Sequence, residues 1–245
     1  MSELKKAIVT GATSGIGQST VQALTDSGRQ VLAVGRRADR LQALADKTGA
    51  SILAADVRDQ EALESAIEEF GPDILVNNAG VGHGIDGLED MDPAHIQEAI
   101  DINVTAPVQI TAAALKGMRT KGYGHVVNIG SIAGLHTLVS ALYGGTKAAI
   151  HLFSQNLRFE LAGSGIRVTE ICPGRVASGF YTAAKGDREK LDKMKDSGIR
   201  ELQPEDIAAS ILFAIDAPSH VNVAMIEVLP TDQAIGGVKL HSPGE

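Results

Sequence analysis

Tyr143 and Lys147 stand four residues apart in the run Tyr143–Leu161, whose apolar spacing predicts a helix, so both project from one face. A phenol beside an ammonium ion is an acid–base pair. The cation favours the phenolate and is expected to pull the tyrosine below its ordinary pKa of about 10, into the range of proton transfer near neutral pH. A surface tyrosine with a lysine neighbour has the same spacing, so the pair by itself leaves both readings open. A second cluster lies near the start of the chain. Thr10 to Gly17 reads TGATSGIG, which places Gly11, Gly15 and Gly17 directly after the apolar run Ala7–Val9. Glycine costs backbone entropy, so such a cluster marks a tight turn or a close approach by something bulky. Where a strand passes through a glycine turn into a helix, the first free N–H groups and the positive dipole end suit a phosphate. Gly11 then permits the turn, Gly15 admits a pyrophosphate to the backbone, and Gly17 lets the helix pack close to the strand.

These residues need elements to hold them. Short β-branched runs predict strands at Lys6–Thr10, Gln30–Val34, Ala50–Ala55, Asp73–Val76, His125–Ile129, Arg167–Ile171 and Ala224–Leu229. Amphipathic spacing predicts helices at Gly15–Ser27, Arg37–Lys47, Gln60–Phe70, Ala94–Lys116 (broken near Val104–Pro107), Tyr143–Leu161 and Glu205–Ile215. Strands alternating with helices indicate βαβ units, and near-continuous apolar strands indicate a sheet covered on both faces. The expected fold class is α/β: one doubly wound Rossmann domain over residues 1–245, with a seven-stranded, mostly parallel sheet. Only the mixed-charge segment Phe180–Arg200 departs from the pattern.

Composition narrows the class further. The 245 residues are 44% apolar, without tryptophan, and carry a net charge of −8. That balance argues against a nucleic-acid partner, which wants a basic surface. No apolar run approaches the ~20 residues of a membrane span. The polar start Met1–Lys6 lacks a signal-peptide core, and the single cysteine, Cys172, fits a reducing compartment. A cytoplasmic protein is expected. No His/Cys/Asp/Glu spacing resembles a metal site.

Further motifs follow the glycine turn in order. Asn77-Asn78-Ala79-Gly80 ends the fourth strand, Asn103 lies in DINV, Ser131 ends the fifth strand in NIGS, Tyr143 and Lys147 form Y-x-x-x-K, and Pro173-Gly174 follows the sixth strand. With the G-x-x-x-G-x-G spacing and the preceding Thr10, the chain resembles the short-chain dehydrogenase/reductase family over nearly its whole length. The segments YGGTK and LPTDQ resemble the branch of serine dehydrogenases and small-aldehyde reductases. The resemblance implies a catalytic set of Asn103, Ser131, Tyr143 and Lys147. Tyr143 would be the general acid or base, and Ser131 would bond the substrate oxygen. Asn103 would link Lys147 to a water relay, while Lys147 also holds the nicotinamide ribose. Cofactor contacts would extend over Thr13, Ser14, Ile16, Asp56, Val57, Asn78, Ala79, Gly80, Pro173, Gly174, Val176 and Ser178. The resemblance also implies a substrate lid over 178–203 and a homotetramer paired through Asn103–Lys116 and Tyr143–Leu161.

Two features depart from the family. Ser131 and Tyr143 are one position closer than is usual, which shortens the loop Ile132–Leu142. Gly144-Gly145 sits inside the catalytic helix at about 1 kcal/mol each relative to alanine, which close packing against the ribose or a neighbouring helix would explain.

Charge decides the expected dinucleotide. NAD sites place an acid near the end of the second strand to meet the ribose 2′-hydroxyl. Here that strand ends Val34-Gly35-Arg36-Arg37. Two guanidiniums suit a 2′-phosphate through forked, charge-assisted bonds, so NADP is expected. His83, His136, Arg175, Phe180 and Tyr181 are candidates to line a substrate pocket; each of the first three alone reads equally well as a solvated loop residue. The expected activity is hydride transfer between nicotinamide and the carbonyl or alcohol carbon of a small polar molecule. A hydroxy acid, hydroxysulfonate, β-hydroxy amino acid or aldehyde fits. A 3-oxoacyl-thioester reductase and a catalytically silent NADP-binding sensor remain as alternatives.

Overall fold

Seven short apolar segments carry the chain back and forth through the core of a computed structural model that describes residues 5–84, 87–89, 91–138, 140–185, 187–193 and 197–235. They are β1 (Lys6–Thr10), β2 (Gln30–Gly35), β3 (Ser51–Ala54), β4 (Ile74–Asn77), β5 (Gly124–Ile129), β6 (Ile166–Pro173) and β7 (Met225–Val228). Their order in the sheet is β3-β2-β1-β4-β5-β6-β7, and every pairing is parallel. The expected mostly parallel sheet is thus parallel throughout.

Parallel strands need crossovers, and helices supply them. These are α1 (Gly15–Asp26), α2 (Ala38–Thr48), α3 (Gln60–Phe70), α4 (Pro93–Ile100), α5 (Ala106–Lys121), the one-turn α6 (Ile132–Leu135), α7 (Ala141–Glu160), α8 (Phe180–Ala183), α9 (Arg188–Lys193) and α10 (Pro204–Asp216). Alternation along each strand splits the core in two. Ala7 and Val9 of β1 join Val21 and Leu24 of α1 and Ile207 and Ile211 of α10. Ile8 points the other way, with Leu63 of α3, Ile110 and Met118 of α5 and Leu157 of α7.

The chain order reverses between β1 and β4, and the loops after those strands open a crevice at their carboxyl ends, the usual ligand position in such sheets. The glycine turn and the Asn77–Gly80 segment meet there.

Strand and helix ends differ from expectation by one or two residues, except at two places. The helix expected over Ala94–Lys116 does not break near Val104–Pro107. Instead α4 runs through a π turn, Asp101–Thr105, into α5, which continues to Lys121. Pro107 has no N–H to offer the carbonyl of Asn103, and a widened turn absorbs that loss without ending the helix. The helices α6, α8 and α9 are too short for apolar periodicity to reveal.

Candidate active site

β1 delivers Gly11 in the left-handed region (φ 67°), and Gly15 opens α1 at φ 52°. A methyl group at Gly11 would lie 2.8 Å from Asn78 Nδ2, and one at Gly17 would collide with the carbonyl oxygen of Gly11. The turn is therefore packed tight against Asn78 and Ala79. Asn78 Nδ2 donates to the Thr10 carbonyl at 2.9 Å, and Thr10 Oγ1 accepts from the N–H groups of Asn78 and Ala79 at 3.0 and 3.1 Å. Thr10, not singled out in the sequence beyond its place before Gly11, thus ties the two loops together. An opening of about 480 Å³ adjoins the start of α1, lined by Gly15, Ala177, Ser178, Gly179, Tyr181, Glu201 and Pro204.

Arg37 lies across the same turn. Its Nη2 donates to Thr13 Oγ1 at 2.8 Å and to Ser14 Oγ at 3.1 Å. Partial burial lowers its pKa; Arg40 and Arg36 add to the effect, and Asp39 opposes it. Arg36 stays exposed, 3.7 Å from Asp56. Asp56 is held to about 2 chiefly by the hydrogen bond from Arg58, whose Nη2 lies 2.8 Å away. Arg40 and Arg58 were not anticipated. Only the fold carries Arg58, beyond β3, to the side of Arg36.

Ser131 ends β5 and caps α6, accepting from the N–H of Ala133 at 3.1 Å. Ser140 caps α7, accepting from the N–H of Tyr143 at 3.1 Å, which sets that ring at the start of its helix. The Ser131 hydroxyl is a near neighbour of the Tyr143 phenol and acts to lower its pKa. One turn further along α7, Lys147 is buried; its Nζ donates to the carbonyl of Ile129 at 2.7 Å and lies 5.9 Å from the Tyr143 ring centroid. Asn103, in the π turn, accepts from the N–H of Val81 at 2.8 Å and donates to the carbonyl of Val81 and to Thr146 Oγ1. Its Oδ1 and Lys147 Nζ flank the same side of Gly80, 3.3 and 3.7 Å from where a side chain would begin.

The expected depression of the Tyr143 pKa is not found. Burial pushes the phenol well up, and the Ser131 hydroxyl offsets this only in part. Phe180 provides much of the cover, its ring centroid 5.2 Å from that of Tyr143. The ammonium that was to favour the phenolate is spent on a carbonyl, and burial lowers Lys147 itself to about 8.

The remaining sequence candidates scatter. His83 is buried, not solvated; its Nε2 meets Glu98 Oε2 at 3.1 Å, and its Nδ1 accepts from the N–H of Lys185 at 3.2 Å. Arg175 Nε donates to Glu201 Oε1 at 2.6 Å, and its guanidinium lies 4.5 Å from the Tyr181 ring centroid. Tyr181 meets Phe180 edge-on at 5.4 Å, so an aromatic row runs from Arg175 to Tyr143. His136 pairs with Glu227 on β7 at 3.0 Å. Val176 bridges to Leu202 across the base of segment 178–203, in which Gly186 and residues 194–196 lie outside the described residues. Pro173, at the end of β6, and Gly174 close the crevice, where Gln233 approaches Gly174 too closely for a side chain. Ile16 packs on the core beneath α1, and Val57 is buried behind β3. Of the two helical glycines, Gly144 abuts the Ala133 carbonyl of α6, 3.0 Å from where a side chain would begin; Gly145 meets nothing within 4 Å, so packing does not explain it.

The short chain dehydrogenase family pattern matches residues 5–189. The NADP-dependent 3-hydroxy acid dehydrogenase YdfG of Salmonella typhi is 37% identical over 244 residues, covering 96% of this chain and 98% of that protein. A probable NADP-dependent dehydrogenase of Haemophilus influenzae is 38% identical, with 96% of each chain covered. The chain belongs to the short-chain dehydrogenase family. Among solved structures of this family, the closed form of a serine dehydrogenase complexed with NADP+ superimposes with a TM-score of 0.91 at 36% identity, covering 97% of this chain and 99% of that one. Among the described residues of this short-chain dehydrogenase, no cluster of His, Cys, Asp and Glu is placed to hold a metal ion, and no helix is long and apolar enough to cross a membrane.

Proposed function

We propose that this chain is an NADP-dependent oxidoreductase that interconverts an alcohol and a carbonyl on a small polar substrate, a 3-hydroxy acid or β-hydroxy amino acid. One observation carries the reading: Ser131 and Tyr143 are near neighbours at the carboxyl end of the sheet, with buried Lys147 one turn away and its Nζ beside Gly80. The relatives' names, a 3-hydroxy acid dehydrogenase and a serine dehydrogenase, favour small hydroxy acids over the acyl-thioester alternative.

The residues present fit the dinucleotide. The glycine turn, whose Gly15 lines the opening at the start of α1, suits a pyrophosphate, and Arg36 with Arg37 suits a 2′-phosphate through charge-assisted bonds. When bound, NADP supplies or accepts the hydride. The chain does the rest. Ser131 Oγ hydrogen-bonds the substrate oxygen as charge develops on it, and Tyr143 Oη exchanges the proton at that oxygen. Because burial raises the phenol, the resting site presents the protonated tyrosine that carbonyl reduction requires. Lys147 and Asn103, on the same side of Gly80, supply the ammonium and the amide behind that proton. Phe180, on α8, packs beside the tyrosine and Tyr181 packs on Phe180, as a lid over 178–203 would. His83 holds the segment after α8 at Lys185, while Arg175, paired with Glu201, stands beside Tyr181.

A homotetramer completes the reading. Exposed Leu152 and Phe159 on α7, at 56% and 87%, support pairing through that helix. Buried Cys172, the only cysteine, is in keeping with a cytoplasmic protein. Tyr143→Phe keeps the ring and removes the proton. Isothermal titration should find NADP binding retained, while NADPH-linked turnover over a panel of 3-oxo and 3-hydroxy acids falls at least about 100-fold. Turnover close to the parent's would mean that another group carries the proton.

A further inference from the structure

Glu170, in the middle of β6, is completely buried, a costly place for a carboxylate. Its Oε2 is bonded to His151 Nδ1 at 2.7 Å. His151 Nε2 is met in turn by Gln155 Nε2 at 2.8 Å. An amide NH₂ only donates, so Nε2 accepts and Nδ1 carries the hydrogen given to Glu170. This bond engages only one of the two carboxylate oxygens. Glu170 Oε1 has no hydrogen-bond partner among the described residues, and it presses on Gly130 so closely that no side chain fits there. Gly130 is flanked by Ile129, whose carbonyl receives Lys147, and by Ser131. One peptide unit therefore separates the buried carboxylate from the acceptor of the buried ammonium.

We propose that Glu170 is a positioning residue for Lys147: the carboxylate behind Gly130 is the counter-charge that keeps this lysine an ammonium ion and backs the Ile129–Ser131 segment against it. The proposal rests on the role given to Lys147 above. Other charges around Glu170 do not take its place. Cys172 Sγ stands 3.1 Å from the same Gly130 position, but burial and then the neighbouring carboxylate push its thiol far up, so it stays neutral. Arg158 on α7 is the competing cation; its Nη1 is committed to the carbonyls of Val168 and Ala224. From β5 come uncharged Asn128 and Gly130. On β7, Met225 lies opposite Glu170, and Glu227, two residues on, is held by His136. Lys147 is lowered by burial to about 8, and Glu170 pulls the other way; without the carboxylate it would fall further.

The test follows that lysine directly, in the protein without substrate or cofactor. The protein is labelled with ¹³Cε-lysine and titrated by NMR, the buried resonance being identified by its loss in Lys147→Met. The parent should titrate near about 8. Glu170→Gln, which keeps the shape and removes the charge, should lower the midpoint by about one pH unit, and Glu170→Asp should restore most of it. Glu170→Met serves as a second charge-free variant should the glutamine protein not fold. A midpoint unchanged in either charge-free variant would overturn the proposal and leave Glu170 as a buried partner of His151 only. Failure of the catalytic reading is seen separately, as turnover surviving in Tyr143→Phe.

Discussion

Arg36 and Arg37 sit side by side in the sequence but do different work. Arg37 reaches back to Thr13 and Ser14 and braces the glycine turn, while Arg36 stays exposed, 3.7 Å from Asp56. Arg36→Asp removes a cation and adds an anion beside Asp56 without touching the turn. Fluorescence titration should show NADPH binding weakened about 10–100-fold, the scale of a lost charge-assisted hydrogen bond, with NADH binding changed far less. Arg37→Ala should weaken both cofactors, because the brace on Thr13 is lost with the charge. Equal losses for NADPH and NADH in Arg36→Asp would place the 2′-phosphate elsewhere.

The passage from α4 to α5 shows how an element places a side chain. A regular helix would bond the carbonyl of Asn103 to the N–H of residue 107, but residue 107 is proline. The π turn at Asp101–Thr105 is the result, and it carries Asn103 into the gap between Val81 and Thr146. Pro107→Ala restores the missing donor and favours a regular turn. Such a shift of Asn103 should lower kcat about 10-fold or more, the cost expected of a displaced positioning group. The melting temperature should not fall, since alanine is the better helix former. A lower melting temperature with unchanged kcat would mean that the widened turn serves stability and not the site.

Over the whole molecule, the pH dependence of stability has an identifiable contributor away from the crevice. His125, in the first half of β5, is wholly buried; its Nε2 meets Thr169 Oγ1 at 2.8 Å, and Nδ1 has no partner among the described residues. Burial, with the nearby Arg167, lowers it from 6.5 to about 3. The unfolded chain thus binds a proton that the folded chain refuses. The stabilisation is complete above pH 6.5 and is lost as the pH falls toward about 3. Each pH unit in that window removes up to ~1.4 kcal/mol. Urea unfolding between pH 7 and 4 should show this slope in the parent and a shallower one in His125→Gln. Identical slopes would assign the acid sensitivity to other groups.

Periodicity and punctuation in the sequence were enough for the order of strands and helices, because apolar runs of alternating type have few ways to bury both faces of a sheet. The glycine turn between β1 and α1 and the shared helix of Tyr143 and Lys147 were legible for a related reason: each depends on local spacing, whereas Ser131 stood out only through the family resemblance. What the sequence left open depended on partners far away in the chain. It placed the lysine beside the tyrosine but did not show that Phe180 would cover the phenol, or that the Ile129 carbonyl would take the ammonium, and so it gave the wrong sign for the Tyr143 shift. It offered His83 as either a substrate contact or a solvated loop residue, whereas α4 and the segment after α8 bury it. Glu170 in TEICPG drew no attention. A glutamate in a strand reads as an edge or surface residue until the sheet order places it between β5 and β7 and under α7. A charge acts through distance and burial, and only the tertiary structure supplies those.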